Sequence, residues 1–73
     1  TQREADILYY LAARPNQVIR RSDILEDIWG KDDYFLGRSM DVFVSRLRKF
    51  FEKDPSIKIE NVHGVGYRFT AAE

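Results

Sequence analysis

Apolar and polar positions alternate along this chain in patterns that change from segment to segment. From Ala5 to Ala13 the apolar residues (Ala5, Ile7, Leu8, Tyr9, Tyr10, Leu11, Ala12, Ala13) cover much more than one helical stripe. That density predicts a helix over about residues 2–14, packed on more than one side. Thr1-Gln2-Arg3-Glu4 before it has the form of a capping box, in which a hydroxyl accepts from the amide three residues on while a carboxylate reaches back. Pro15 stops the helix, Pro15-Asn16 reads as a turn, and Val18-Ile19 as a short extended piece. Ile24, Leu25 and Ile28 then stand at core spacing, predicting a second helix over about 21–29 that Gly30 ends. Its start is poorly signed: Arg20 is not a capping residue, and Ser22 is the nearest good candidate.

A third helix is predicted over about 38–53, entered from Gly37 and ended at Asp54-Pro55. At about 100° per residue, Met40, Val44, Leu47 and Phe51 fall into one stripe, which Phe43 and Phe50 widen. The opposite side collects Arg38, Val42, Ser45, Arg46 and Lys49 without a carboxylate. Two readings of that side stand. It is a solvated polar face with a stray valine, or it suits a DNA major groove, where arginine pairs with guanine and an apolar side chain touches a thymine methyl. Residues 30–37 form a loop with two acids, two aromatics and a leucine. Either Phe35 and Leu36 tuck into the core while Asp32 and Asp33 face water, or the loop is a contact surface for a protein partner.

Ile57-Lys58-Ile59 and Tyr67-Arg68-Phe69 alternate like strands around the glycine-bearing turn Val62-His63-Gly64-Val65-Gly66, a β-hairpin over 57–69. Parity breaks between Ile59 and Val62, so a bulge or twist is expected there. Two helices, a third with a basic outer face and a closing hairpin make a winged helix-turn-helix, an α+β domain spanning residues 1–73.

Composition narrows the function. Seventy-three residues form one small domain, 44% hydrophobic and 33% charged, so disorder is not expected. The absence of cysteine excludes disulfides and cysteine-built metal sites and suits the cytoplasm. The longest apolar run, Ile7 to Ala13, is far short of a bilayer span, so no membrane association is expected, and nothing resembles a signal peptide. With one histidine and no histidine–carboxylate cluster at ligand spacing, neither an enzyme nor a metal is expected. Gly64-Val65-Gly66 lacks the rest of a dinucleotide fingerprint and precedes a strand, so no cofactor is expected. Net charge is zero, but residues 1–37 carry five basic and seven acidic side chains, and residues 38–69 seven basic and four acidic. Patch charge governs attraction to phosphates more than total charge does, and this asymmetry points toward nucleic acid.

Four stretches also match a known family: Thr1-Gln2-Arg3-Glu4; Asp23 to Gly30, ending Trp29-Gly30; Arg38-Ser39-Met40-Asp41-Val42 with Ser45-Arg46-Leu47-Arg48-Lys49; and Val62 to Phe69. Over about residues 1–70 the chain resembles the C-terminal effector domain of the OmpR/PhoB class of bacterial response regulators. The resemblance implies a winged helix that binds direct-repeat promoter DNA as a head-to-tail dimer. It also implies control by phosphorylation of an N-terminal receiver domain by a cognate sensor histidine kinase, and contact with RNA polymerase. Neither the receiver nor the four-stranded sheet that normally precedes the first helix is in this chain. The excess of apolar surface on the first helix, around Ile7 and Tyr10, is expected to be what such a sheet would cover.

Arg46 is the first choice for base reading, since it lies on the outward face, its planar fork matches guanine, and a matching arginine of the family commonly reaches bases. Val42 and Ser45 are its neighbours in the groove. Arg38 and Ser39, at the expected helix N-terminus, suit phosphate, and Lys49 supplies charge beside them. Arg48 lies close to Asp41 on the wheel, and the family pattern makes it a phosphate contact. Trp29 either donates its indole N–H to a phosphate, as the family's tryptophan does, or is a core residue. Tyr67 and Arg68 are expected to clamp backbone beside the wing. The resemblance places the polymerase contact in the loop of Asp32, Asp33, Tyr34 and Phe35. His63 departs from the family, which usually has an arginine at the wing tip. Histidine is shorter and mostly neutral at pH 7, so either it enters the minor groove weakly and with pH sensitivity, or it is a solvent-facing loop residue. Phe43 departs too, replacing a polar residue near the phosphates. The rival of another class is a winged-helix protein–protein interaction module, which should show exposed apolar or acidic residues on the outer face of the third helix.

Overall fold

The structure, a computed structural model, describes residues 2–71. Its elements run α1 (Gln2–Ala12), β1 (Val18–Arg20), α2 (Arg21–Trp29), α3 (Tyr34–Phe50), β2 (Ile57–Val62) and β3 (Gly66–Ala71). The three strands form one antiparallel sheet in the order β1-β3-β2. This is the winged helix-turn-helix expected from the pattern, with one addition: the extended piece at Val18-Ile19 is a third strand of the wing sheet, pairing Val18 with Arg68 and Arg20 with Gly66. The capping box expected at Thr1 lies outside the described residues.

Each helix contributes one stripe to a common core: Ile7 and Leu11 from α1, Ile24 and Leu25 from α2, and Met40, Val44 and Leu47 from α3. Ile19, Ile59, Tyr67 and Phe69 close it from the sheet. Ile7 is therefore a core residue, and Tyr10 is half-buried with its hydroxyl donating to Asp27 of α2. The surplus apolar surface of α1 is instead Tyr9, which points to solvent. The reason is helical geometry, since Ile7 and Leu11 share a face that Tyr9 cannot join. The helix also ends at Ala12, short of Arg14. Its tail closes as a turn (Arg14 N–H to Leu11 O, 3.0 Å), and Asn16, at a left-handed φ of 65°, donates its N–H to Phe69 O at 2.8 Å.

The third helix differs most from its expected bounds. Asp33 is its N-cap, the carboxylate accepting from the amides of Phe35 (2.8 Å) and Leu36 (3.1 Å). The expected loop 30–37 thus shrinks to a short connection, and Tyr34 and Phe35 begin the helix. Arg38 and Ser39 lie a full turn inside, where backbone amides are committed to the helix, so the free-amide argument for phosphate no longer applies to them. At the other end the helix stops at Phe50, and Phe50 itself is 79% exposed, outside the apolar stripe it was expected to widen. Phe51 takes the inward place and meets the Phe50 ring edge-on at 5.0 Å.

The hairpin carries no bulge. Register runs unbroken from Ile57 opposite Ala71 to Val62 opposite Gly66, so Val62 simply turns to the face opposite Ile59. Tyr67 and Phe69 already fill the inward face, and an unbroken ladder keeps the backbone groups that β2 and β3 turn toward each other paired. Among the described residues no helix is long and apolar enough to cross a membrane.

Candidate nucleic-acid interface

A network of three side chains sets how α3 sits against the rest of the domain. Arg21, the first residue of α2, donates Nε and Nη2 to the two carboxylate oxygens of Asp41 at 3.3 and 2.9 Å. Its Nη2 also donates to the carbonyl of Gly37 at 3.2 Å. A Cβ at Gly37 would stand 3.1 Å from that Nη2, so a larger residue here would make the guanidinium give by a few tenths of an ångström. From the sheet, the Tyr67 hydroxyl donates to Asp41 Oδ1 at 2.8 Å. Burial, with the Asp41 carboxylate beside it, pushes the Tyr67 phenol up to about 12. Asp41 thus joins the start of α2, the middle of α3 and strand β3 at one point. Tyr67 is only 5% exposed, which corrects its assignment as a backbone clamp: its ring is core and its hydroxyl is spent on Asp41.

With that side of α3 pinned, the outer face is left to solvent. Val42 is 51% exposed, and Ser45, Arg38, Ser39, Arg48 and Lys49 are exposed around it. Among the described residues Arg38, Arg48 and Lys49 have no ion-pair or side-chain hydrogen-bond partner. Arg48 lay near Asp41 on the wheel, but Asp41 is taken by Arg21, which leaves Arg48 available. A shallow hollow bounded by Arg38, Asp41, Val42, Ser45, Arg46 and Lys49 runs along this face, its one carboxylate, Asp41, being engaged by Arg21 and Tyr67. Arg46 differs from its neighbours. Its Nη1 donates to Glu4 Oε1 of α1 at 3.2 Å, and its guanidinium carbon stands 5.9 Å from the Phe43 ring centre. The bond from Arg46 holds the Glu4 carboxyl below its ordinary range. Phe43 packs against the core, on the apolar stripe of α3 that it was expected to widen.

The wing flanks this face. Val65 N–H bonds Val62 O at 3.0 Å, closing a turn with His63 and Gly64 at its centre. Gly64 has φ +77°, the conformation that the third position of a type II turn requires. His63 is exposed at the tip. Arg21 N–H donates to Val65 O at 3.2 Å, fastening the wing loop to the start of α2. Arg68 is held by Glu60 across the hairpin at 2.8 Å, and that bond keeps the Glu60 carboxyl below its usual range. Trp29 is half-buried against the core, with the Arg3 guanidinium 5.1 Å from its ring. It is thus packed against the core with a cation over its ring. Tyr34 and Phe35 stand exposed at the start of α3 and meet edge to face at 5.5 Å. Phe35 is 77% exposed, so it does not tuck into the core, while Leu36 partly does. Asp32 faces water and Asp33 is the cap.

Sequence reasoning missed Arg21, the partnership of Asp41, and Glu4 as the neighbour of Arg46. Only Asp33 carried a readable signal, an aspartate directly before an apolar helical run.

Comparisons with known proteins agree with this geometry. The family model described as "Transcriptional regulatory protein, C terminal" matches residues 1–69. The chain is 42% identical over its whole length to the transcriptional regulatory protein RprY of Bacteroides fragilis, covering 31% of that protein. Over 92% of the chain it is 39% identical to the response regulator SaeR of Staphylococcus aureus, covering 30% of it. It therefore spans about a third of the length of these curated relatives. Among solved structures, the DNA-binding domain of Bacillus subtilis CssR superposes with a TM-score of 0.76 at 36% identity, over 96% of this chain and 76% of that one. The chain belongs to the family of C-terminal domains of transcriptional regulatory proteins, of the OmpR/PhoB response-regulator type.

Proposed function

We propose that this domain binds double-stranded promoter DNA sequence-specifically, with α3 in the major groove and the β2–β3 wing at the minor groove. The observation that carries the reading is the outer face of α3, where Arg38, Arg48 and Lys49 stand without anionic partners among the described residues, around exposed Val42 and Ser45. The one carboxylate bordering this face, Asp41, is already paired with Arg21, so the cations are left to favour phosphate, and a small hydroxyl beside an exposed valine fits base edges and thymine methyls. In this reading Arg46 pairs with a guanine, Val42 and Ser45 touch neighbouring bases, and Arg38, Ser39, Arg48 and Lys49 lie along the backbone. Trp29, half-buried, offers its indole N–H to a phosphate in this reading. Arg68, shared with Glu60, plays a smaller part, and His63 enters or skirts the minor groove.

The domain acts as a binding module and not as an enzyme, in the cytoplasm, as the effector half of a two-component response regulator. A receiver domain phosphorylated by a cognate sensor histidine kinase would control pairing of two copies head to tail on direct repeats. The exposed pair Tyr34–Phe35 is the surface offered to RNA polymerase. Selection of bound duplexes from a random pool, followed by mobility-shift titration, tests the reading. Enrichment of a defined half-site supports it. If no duplex is enriched and none is bound, a protein–protein interaction module without DNA binding takes its place.

A further inference from the structure

Arg46 sits on the border between two surfaces. Its stem lines the hollow on the outer face of α3, and also a second, more apolar hollow between α1 and α3 with Glu4, Leu8 and Phe50. The guanidinium is engaged on the second side, bonded to Glu4 and near Phe43. The cation proposed to read a base is therefore turned toward α1. The geometry points to Glu4 as an intramolecular competitor of DNA for Arg46, one that releases the side chain only to a better acceptor. This rests on the reading of α3 as a DNA-binding helix.

The contact is built to be breakable. One guanidinium nitrogen meets one carboxylate oxygen at 3.2 Å, and 60% of the arginine side chain remains exposed. Such a pair is weak and screened by salt. A guanine presents two acceptors, O6 and N7, to the same planar fork, so it outcompetes a single carboxylate oxygen. A lone phosphate competes with Glu4 on far more equal terms. On DNA of the wrong sequence Arg46 stays with Glu4, and its charge is withheld from the backbone. The competitor thus raises specificity by penalising the wrong complex more than the right one.

Glu4→Gln is the test, with Glu4→Asp beside it, because the shorter side chain keeps the charge but draws back from Arg46. Both variants are first shown to be folded by thermal melting. Titrations on a selected duplex and a scrambled one are then repeated in the Arg46→Ala background. Expected is about two- to five-fold tighter binding of the selected duplex, a larger gain on the scrambled one, and disappearance of most of the gain in the Arg46→Ala background. Equal gains in both backgrounds would mean that only a charge had been removed, which overturns the inference. Weaker binding by the Glu4 variants overturns it too, since Glu4 would then be holding Arg46 in its reading position. If Arg46→Ala alone costs no affinity on the selected duplex, it is the base-reading role of Arg46 that fails.

Discussion

The Tyr67 hydroxyl donates to Asp41 Oδ1 at 2.8 Å, and Arg21 grips the same carboxylate from α2. Only the protonated phenol can make this bond, and a phenolate beside Asp41 would be repelled. The folded-state value, pushed up to about 12, lies above the unfolded value of about 10. The stabilisation is therefore complete below about pH 10 and is lost as pH rises toward about 12, a change on the order of 2 kcal/mol. Tyr67→Phe should cost about 1 kcal/mol near neutrality, the worth of one hydrogen bond. Urea denaturation of both proteins at neutral and alkaline pH checks this, with the gap closing at alkaline pH. A gap that stays constant would show that the bond does not titrate.

Gly66 faces a harder constraint. An added Cβ there would stand 1.9 Å from the carbonyl oxygen of Ile19 and 2.8 Å from its carbon. These are backbone atoms of β1, which cannot swing aside as a side chain can. Gly66→Ala should separate β1 from β3 at the Arg20–Gly66 pairing and cost on the order of 3 kcal/mol. The melting temperature reads this directly, and hydrogen exchange should show Val18–Arg20 losing protection first. An unchanged melting temperature would mean that β1 gives way at little cost.

How far these constraints could be read in advance follows from their range. The stripe of Met40, Val44 and Leu47 and the alternation of Tyr67 and Phe69 are local patterns, and local patterns give the helices, the hairpin and the cationic face of α3. Arg21–Asp41 and Glu4–Arg46 join residues far apart in the chain, and each depends on a helix crossing that no local period encodes. The assignment of surplus apolar surface to Ile7 and Tyr10 failed for the same reason. Which side of a densely apolar helix stays bare, here Tyr9, depends on what packs against it. Tyr67 was misplaced because a tyrosine beside a basic residue on a short strand fits a backbone clamp as well as a core position.

Asp33 makes the start of α3 testable. Its carboxylate accepts from Phe35 and Leu36 amides that would otherwise lack partners. Asp33→Ala should cost about 1 kcal/mol, whereas Asp32→Ala, which removes an exposed acid, should cost little. Fraying of the first turn would also loosen the Tyr34–Phe35 pair, visible as a loss of aromatic chemical-shift dispersion. Equal effects from the two substitutions would remove the cap as the explanation.

Arg46 and Arg48 lie two positions apart on one helix, so their side chains leave it in different directions. Arg46 borders the hollow with Val42 and Ser45. Arg48 lines the cleft between α3 and β2, where it, Lys49 and Lys58 outnumber the carboxylates Glu52 and Asp54. Arg46→Ala should cost about 1–3 kcal/mol on the selected duplex and relax preference at one base pair. Arg48→Ala should weaken all sequences alike and lower the slope of affinity against salt by about one. Both are exposed, so neither change should move the melting temperature appreciably. Titrations of each variant on selected and scrambled duplexes at two salt concentrations separate the roles. The division of labour along α3 fails if the two variants lose affinity in the same ratio on both duplexes, for then both arginines contribute charge alone.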